Sequence, residues 1–514
     1  MNTVPPTATE QPAAPGDAAR TYMRRGRDPA PDEIDWSAAP ARFLSYTDCP
    51  VLPLPWASRT SERPDTELLG RLLRELCGLT RADWTRPMDP FTGRAIEGPP
   101  VQGVFRPAPS GGALYPIEVY LATGELPRVP AALHHYGVVH HSLRQVRSGD
   151  HRAALVDAVT APPDQAPDVV LALTAVFWRS AFKYGEFAYR LLHQETGALL
   201  AQVRAVARLL GAESAVHLRF PDEKVNQLLG LDTFRQTATA VIALRHPALR
   251  AKSAAAAPSR SDLLHRPRAA LAEPPHDVTS RLPITAALHA ASLTEDPEPV
   301  SSDEVTRPAG AGSIRLPSPT EAPSTTGVSH RHSASKGFRR EPIEPGSLAA
   351  ILDAAGGHPE DLGDVRQVPT PIEMCCAVSR VPGVPPGVYR YTHGSLERLR
   401  DAGSIRYLAE NLPDESTRIT FHEAAVALFP LAAVGAALTH HGDRGYRLVQ
   451  IETGALTHRA ALASAALGVA ARIHSGGACE NTDRALGLRG TRWSSETMLL
   501  IGAARSGQAV RHRL

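Results

Sequence analysis

Apolar or small residues at Tyr189, Leu192, Thr196, Leu199, Val203, Val206 and Leu210 recur at steps of three and four, the period of a helix with one buried face. The same spacing returns at Tyr446, Val449, Thr453, Leu456, Ala460, Ala463 and Leu467. Gly211 and Gly468 stand near the two ends, where helices commonly stop. The pattern predicts a long helix in each half of the chain, suited to packing against another domain, although an ordinary core helix would carry the same stripe. β-Branched-rich apolar runs at Glu118–Ala122, Val169–Phe177, Thr239–Leu244, Ala424–Phe429 and Thr497–Gly502 predict strands. Strands interleaved with helical segments indicate mixed α+β domains.

The two helical stretches belong to a repeat. KYGEFAYRLLHQETGALL from Lys183 and HHGDRGYRLVQIETGALT from His440 align without a gap at an offset of 257 residues. That offset pairs Gly185 with Gly442, Tyr189 with Tyr446, Glu195 with Glu452, Gly197 with Gly454, Gly211 with Gly468, His217 with His474 and Gly230 with Gly487. Pro- and Ala-rich tracts lacking sustained periodicity lie outside the copies. The expected organisation is a flexible segment over 1–45, a first domain over 46–248, a linker over 249–335 and a second domain over 336–514.

Length favours two or three domains. Lys and Arg number 55 against 53 Asp and Glu, so no overall field draws the chain to nucleic acid or an anionic membrane. The five cysteines are scattered without metal-ligand spacing, and the adjacent pairs His134-His135, His140-His141 and His440-His441 lack a neighbouring carboxylate or Cys at ligand spacing. Neither a metal nor a disulfide framework is expected, and Cys375-Cys376 reads as buried packing. With no secretory layout at the N-terminus and no apolar run of about 18 residues, a cytoplasmic location is expected.

Three segments carry candidate chemistry. RPAPSGGALYPIEVYLAT, from Arg106, holds a Pro-Ser-Gly-Gly turn in which Ser110, Gly111 and Gly112 offer a hydroxyl and closely spaced N–H groups, with few side chains to keep a planar ring away. Taken alone, it also fits a plain connecting loop. RTSER places Arg59, Ser61 and Arg63 ahead of a helical run, as a phosphate site would require, or as a solvated surface cluster. Lys183 and Tyr184 precede the long helix; either would need a depressed pKa to act as a base near neutrality.

Together and in this order, the three segments resemble the SagB-type, McbC-like dehydrogenases of the nitroreductase superfamily, over about residues 55 to 247. The resemblance implies an FMN cofactor and oxidation of thiazolines or oxazolines to azoles in a ribosomally made precursor peptide, of thiopeptide or linear azole type, beside a cyclodehydratase complex. It also implies that Arg59, Ser61 and Arg63 contact the phosphate and ribityl end, that Ser110, Gly111 and Gly112 face the isoalloxazine, and that Lys183 and Tyr184 match the catalytic pair.

The second copy departs where the chemistry lies. His440-His441 replaces Lys183-Tyr184, residues 110–115 shrink to Thr370 between Pro369 and Pro371, and the arginine-serine element blurs to RHSASKGF around Ser333 and Lys336. Nitroreductases resembling this chain pair two subunits around their flavins, so the expected architecture is two tandem nitroreductase-like domains forming an intramolecular pseudo-dimer. Further homo-oligomerisation stays open. Gly476 and Gly477, in HSGGACEN, are expected to bring backbone N–H groups of the second copy to the flavin held by the first, or to be a simple turn. A flavin oxidoreductase for another small or carrier-bound substrate, and a noncatalytic scaffold of the cyclodehydratase complex, remain as alternative functions.

Overall fold

In the computed structural model, residues 14–25, 34–56, 64–85, 97–99, 101–159, 163, 165–251, 258–295, 312–321, 328, 331–335, 337–356, 372–505 and 511–513 are described. The predicted period becomes two helices of 23 residues each, Ala188–Leu210 and Arg444–Ala466. Tyr189, Leu192, Thr196, Val203 and Val206 are fully buried along the first, as the three-four spacing requires. Gly211 ends it at φ 71, the left-handed cap that costs glycine least.

Each long helix lies on an antiparallel sheet. The first sheet runs Val51–Pro53, Ser142–Ser148, Ala132–Gly137, Ile117–Thr123, Val169–Val176, Gln236–Arg245, Glu213–His217. The second repeats this order with Ser313–Arg315, Ser395–Arg400, Gly387–Thr392, Ile372–Val378, Val426–Ala432, Met498–Ala504 and, paired to the last, Val469–His474. All five predicted strands are present. Val169–Val176 is buried along its whole length, which explains an apolar run without alternation.

The two long helices cross at glycine. A β-carbon on Gly197 would stand 1.7 Å from the Ile451 carbonyl oxygen, and one on Gly454 would stand 1.9 Å from that of Gln194. These contacts exchange under the 257-residue offset, so the crossing is a pseudo-twofold axis. The two buried arginines and the carbonyls they reach obey it too, whereas their carboxylate partners do not correspond. Arg190 reaches the Ser495 carbonyl at 3.5 Å and pairs with Glu496, while Arg447 reaches the Ala238 carbonyl at 3.4 Å and pairs with Asp222 at 2.9 Å. Arg444 joins Asp222 as well. Burial would raise the Asp222 carboxyl, but Arg444 and Arg447 together hold it below the usual carboxylate range. The tandem nitroreductase-like domains therefore pack as a pseudo-dimer within one chain.

Two tracts that composition makes flexible or linking contain ordered helices. Asp17–Arg25 buries Tyr22, and Pro283–Ser292 buries Leu288 and His289. Each receives its N-terminal cap from the junction ahead of a long helix. Asp443 accepts from Gly16 N at 3.0 Å and Ala19 N at 2.8 Å, while Glu186 accepts from Ile284 N at 3.1 Å and Thr285 N at 2.7 Å. Asp443 and Glu186 are again 257 residues apart, and each repeat caps the other's leading helix. Both helices are short and stand in Pro- and Ala-rich surroundings, which hid them. The strand Arg511–Arg513 adds to the hairpin Arg81–Thr85 and Val101–Phe105 of the first repeat, another exchanged element. No helix of the described residues is long and apolar enough to cross a membrane.

Candidate functional site

The glycine turn is wound into a tight cup ahead of the buried strand Ile117–Thr123. Ser110 is extended, then Gly112 at φ 60, Ala113 at φ 55 and Tyr115 at φ 50 take positive backbone angles that Ala and Tyr seldom adopt. Several bonds hold this conformation. Tyr115 N donates to Ser110 Oγ at 2.8 Å, Arg179 Nη1 donates to the Tyr115 carbonyl at 3.1 Å, and Arg106 N donates to the Tyr115 hydroxyl at 3.1 Å. The Arg106 guanidinium also lies 4.8 Å from the Tyr115 ring centre. Arg179 is in turn ion-paired to Glu118, which His135 Nε2 meets at 2.9 Å. Burial would raise Glu118, yet Arg179 and His135 bring it down to about 2.

Glu195 ties the cup to the long helix. Its Oε1 accepts from Gly111 N at 2.8 Å. Burial raises its carboxyl to about 8 against the opposing influence of the Gly111 N–H and Ser110. The acid is therefore largely protonated at neutral pH. A cavity of about 270 Å³, counted with its open mouth, lies behind the cup, and Arg106, Tyr115, Glu195 and Cys77 are among its lining residues.

Lys183 and Tyr184 end the helix Phe177–Tyr184, which Gly185 stops at φ 52. Their polar tips turn onto the cup. A β-carbon on Gly112 would stand 2.9 Å from Tyr184 Oη and 3.1 Å from Lys183 Nζ. Ser110, Gly111, Gly112, Lys183 and Tyr184, more than 70 positions apart in sequence, thus converge. Burial lowers the Lys183 ammonium and raises the Tyr184 phenol well above its ordinary value. No described carboxylate pairs with Lys183.

The second repeat also reaches the long helix that carries Glu195. Ser475 Oγ donates to Gln194 Oε1 at 2.8 Å, bringing the loop of Gly476 and Gly477 beside the helical turn that carries Glu195. Gly476 is half-buried. Gly477 is buried against Met498, whose Cε would be 2.6 Å from an added β-carbon, so its small size already serves internal packing. Arg331 Nε donates to the Pro107 carbonyl at 2.6 Å, so the arginine of RHSASKGF stands at the approach to the first repeat's cup. Burial lowers its guanidinium, and no described carboxylate neutralises it. Ser333 bridges to Ala471 on the strand leading into the Ser475 loop.

Arg59, Ser61 and Arg63 lie outside the described residues, as do Lys336 and Thr370 with its flanking prolines. His440 and His441 end the helix Val434–His441 with Gly442 at φ 55, copying the backbone of Lys183-Tyr184-Gly185 without its side chains. Sequence reasoning passed over Glu195 and Arg331. Glu195 was visible as an acid inside a buried helical stripe and as half of a repeat-matched pair. Arg331 was visible only as the first residue of the blurred element RHSASKGF, and its contact with Pro107 of the first repeat exists only in the pseudo-dimer.

The family model described as "Nitroreductase family" matches the chain twice, over residues 60–244 and 328–503, one match for each half. The chain belongs to the nitroreductase family. A nitroreductase-like protein of Anabaena variabilis ATCC 29413, known from its crystal structure, superposes with a TM-score of 0.76 over 95% of this chain and 99% of its own at 23% identity, a likeness of fold. Among curated relatives, the chain is 32% identical over 145 residues to the trifolitoxin-processing protein TfxB of Rhizobium leguminosarum bv. trifolii, covering 27% of this chain and 39% of that protein. It is 28% identical over 153 residues to the microcin B17-processing protein McbC of Escherichia coli, covering 29% and 56%. The chain thus spans 39% and 56% of the lengths of these two relatives.

Proposed function

We propose that the chain is an FMN-dependent oxidoreductase that converts azolines in a ribosomally made peptide into azoles. The observation carrying this reading is the cup itself: Gly112 leaves open the space where a β-carbon would meet Tyr184 Oη and Lys183 Nζ. A surface free of side chains, faced by an amine and a phenol, fits a planar cofactor with a small ring laid upon it. Ser110, Gly111 and Gly112 would hold the isoalloxazine, with Gly476 at its edge. Arg331 and Ser333 of the second repeat would meet the phosphate, since a half-buried guanidinium with no described carboxylate beside it favours an anion. Arg59, Ser61 and Arg63 remain candidates for the same end. The similarity to two peptide-processing proteins supports a peptide substrate, and a cyclodehydratase complex would supply it.

Bound FMN would supply the electron sink for the hydride equivalent leaving the azoline ring. Lys183, whose ammonium is made easier to deprotonate by burial, takes the acidified proton from the ring carbon adjoining the imine-like bond. Tyr184 keeps its proton at neutral pH and donates a hydrogen bond to the substrate. The cup and the helix end would fix the ring against both groups.

The test is to incubate FMN-loaded protein with an azoline-bearing precursor and follow the loss of two hydrogens per ring by mass spectrometry. Lys183→Ala and Tyr184→Phe should each slow this by about 10²–10⁴-fold while the flavin absorbance is retained. Full activity in both variants would reject the assigned pair, and intact azoline with flavin-loaded wild type would reject the substrate class.

A further inference from the structure

Trp36 is an aromatic side chain that the cup and the catalytic pair leave unused. It is 63% exposed, a costly placement for so large an apolar ring unless something covers it. Yet its mount is rigid. Trp36–Ala38 forms a single helical turn whose N-cap Asp35 accepts from Ser37 N at 3.0 Å, and the buried Trp178 donates its Nε1–H to the Ala38 carbonyl at 2.8 Å. The Trp36 ring stands edge-on to Phe182, 5.8 Å between centres at 68°, and its centre is 6.0 Å from Lys183 Nζ.

Resting on the azoline reading above, we propose that Trp36 is the stacking platform for a planar heterocycle of the peptide substrate. The tryptophan face, the Lys183 amine and the Tyr184 hydroxyl border one approach to the glycine cup. A flat five-membered ring is the chemistry that all three accommodate: a face for stacking, near-planar in the azoline and aromatic in the azole, a ring nitrogen for the phenol and, in the azoline, an acidified C–H for the amine. An uncyclised Ser, Thr or Cys side chain offers no such face. Trp36 would therefore select cyclised over uncyclised positions, independently of the oxidation step.

The experiment uses full-length, FMN-loaded protein and an azole-bearing peptide, which binds without being turned over, with the uncyclised peptide of the same sequence as control. Affinities are measured by calorimetry for wild type, Trp36→Ala and Trp36→Phe. Wild type should prefer the azole peptide, Trp36→Ala should lose about tenfold in affinity for it alone, and Trp36→Phe should recover most of that loss. Because Trp36 is mostly exposed, its replacement should leave the melting temperature unchanged. Undiminished azole binding by Trp36→Ala, or an equal loss for both peptides, would overturn the stacking role even where azoline oxidation is found. Absence of any azole preference in the wild type would overturn the stacking role and count against the azoline reading with it.

Discussion

Glu195 makes the condition of the cup depend on a proton. An unperturbed Glu titrates near 4.3, whereas burial raises Glu195 to about 8. Across that interval the folded protein keeps a proton that the unfolded chain has released, so stability falls as pH rises and levels off above about 8. Glu195→Gln retains an oxygen for the Gly111 N–H but abolishes the titration. Melting curves between about pH 5 and about pH 9 should therefore show a shallower decline in the variant, by at most about 1.4 kcal/mol per pH unit. Glu452, its counterpart, is likewise raised to about 8 by burial and should sustain the remaining slope. An unchanged slope in Glu195→Gln would mean that this carboxyl is already ionised.

Among elements, the two long helices show what periodicity can and cannot disclose. Their length, buried stripe and glycine stop are written in local spacing, and so are the strands beside them. Gly197 and Gly454 were visible as a matched pair, but their purpose is a backbone contact between helices that only the assembled halves contain. Gly454→Ala should cost about 3 kcal/mol or more, because the intruding methyl meets a helix carbonyl that cannot turn aside. Thermal unfolding would register this, and an unaltered midpoint would contradict the crossing. The capped helices Asp17–Arg25 and Pro283–Ser292 were illegible for a related reason: their decisive partners, Asp443 and Glu186, belong to the opposite repeat. The cup was recognisable as a glycine turn, yet its meeting with Lys183 is set by the sheet, since Ile117–Thr123 and Val169–Val176 are adjacent strands.

At the scale of the whole molecule, the pseudo-twofold relates two places that have become chemically different. The first offers Lys183 and Tyr184 to its cup, while the second repeats the helix end with His440 and His441. Flavin absorbance against protein concentration should therefore give about one FMN per chain, and a ratio near two would show that the second place binds as well.

The crossing at Gly197 and Gly454 reaches further than stability. Identical subunits must accept every substitution twice, once on each side of their axis, and they separate when dilute. Two halves on one polypeptide meet at a high effective concentration whatever the amount of protein present. One half can then lose its own reactivity and serve wholly as a wall, a hinge or a landing surface for its twin.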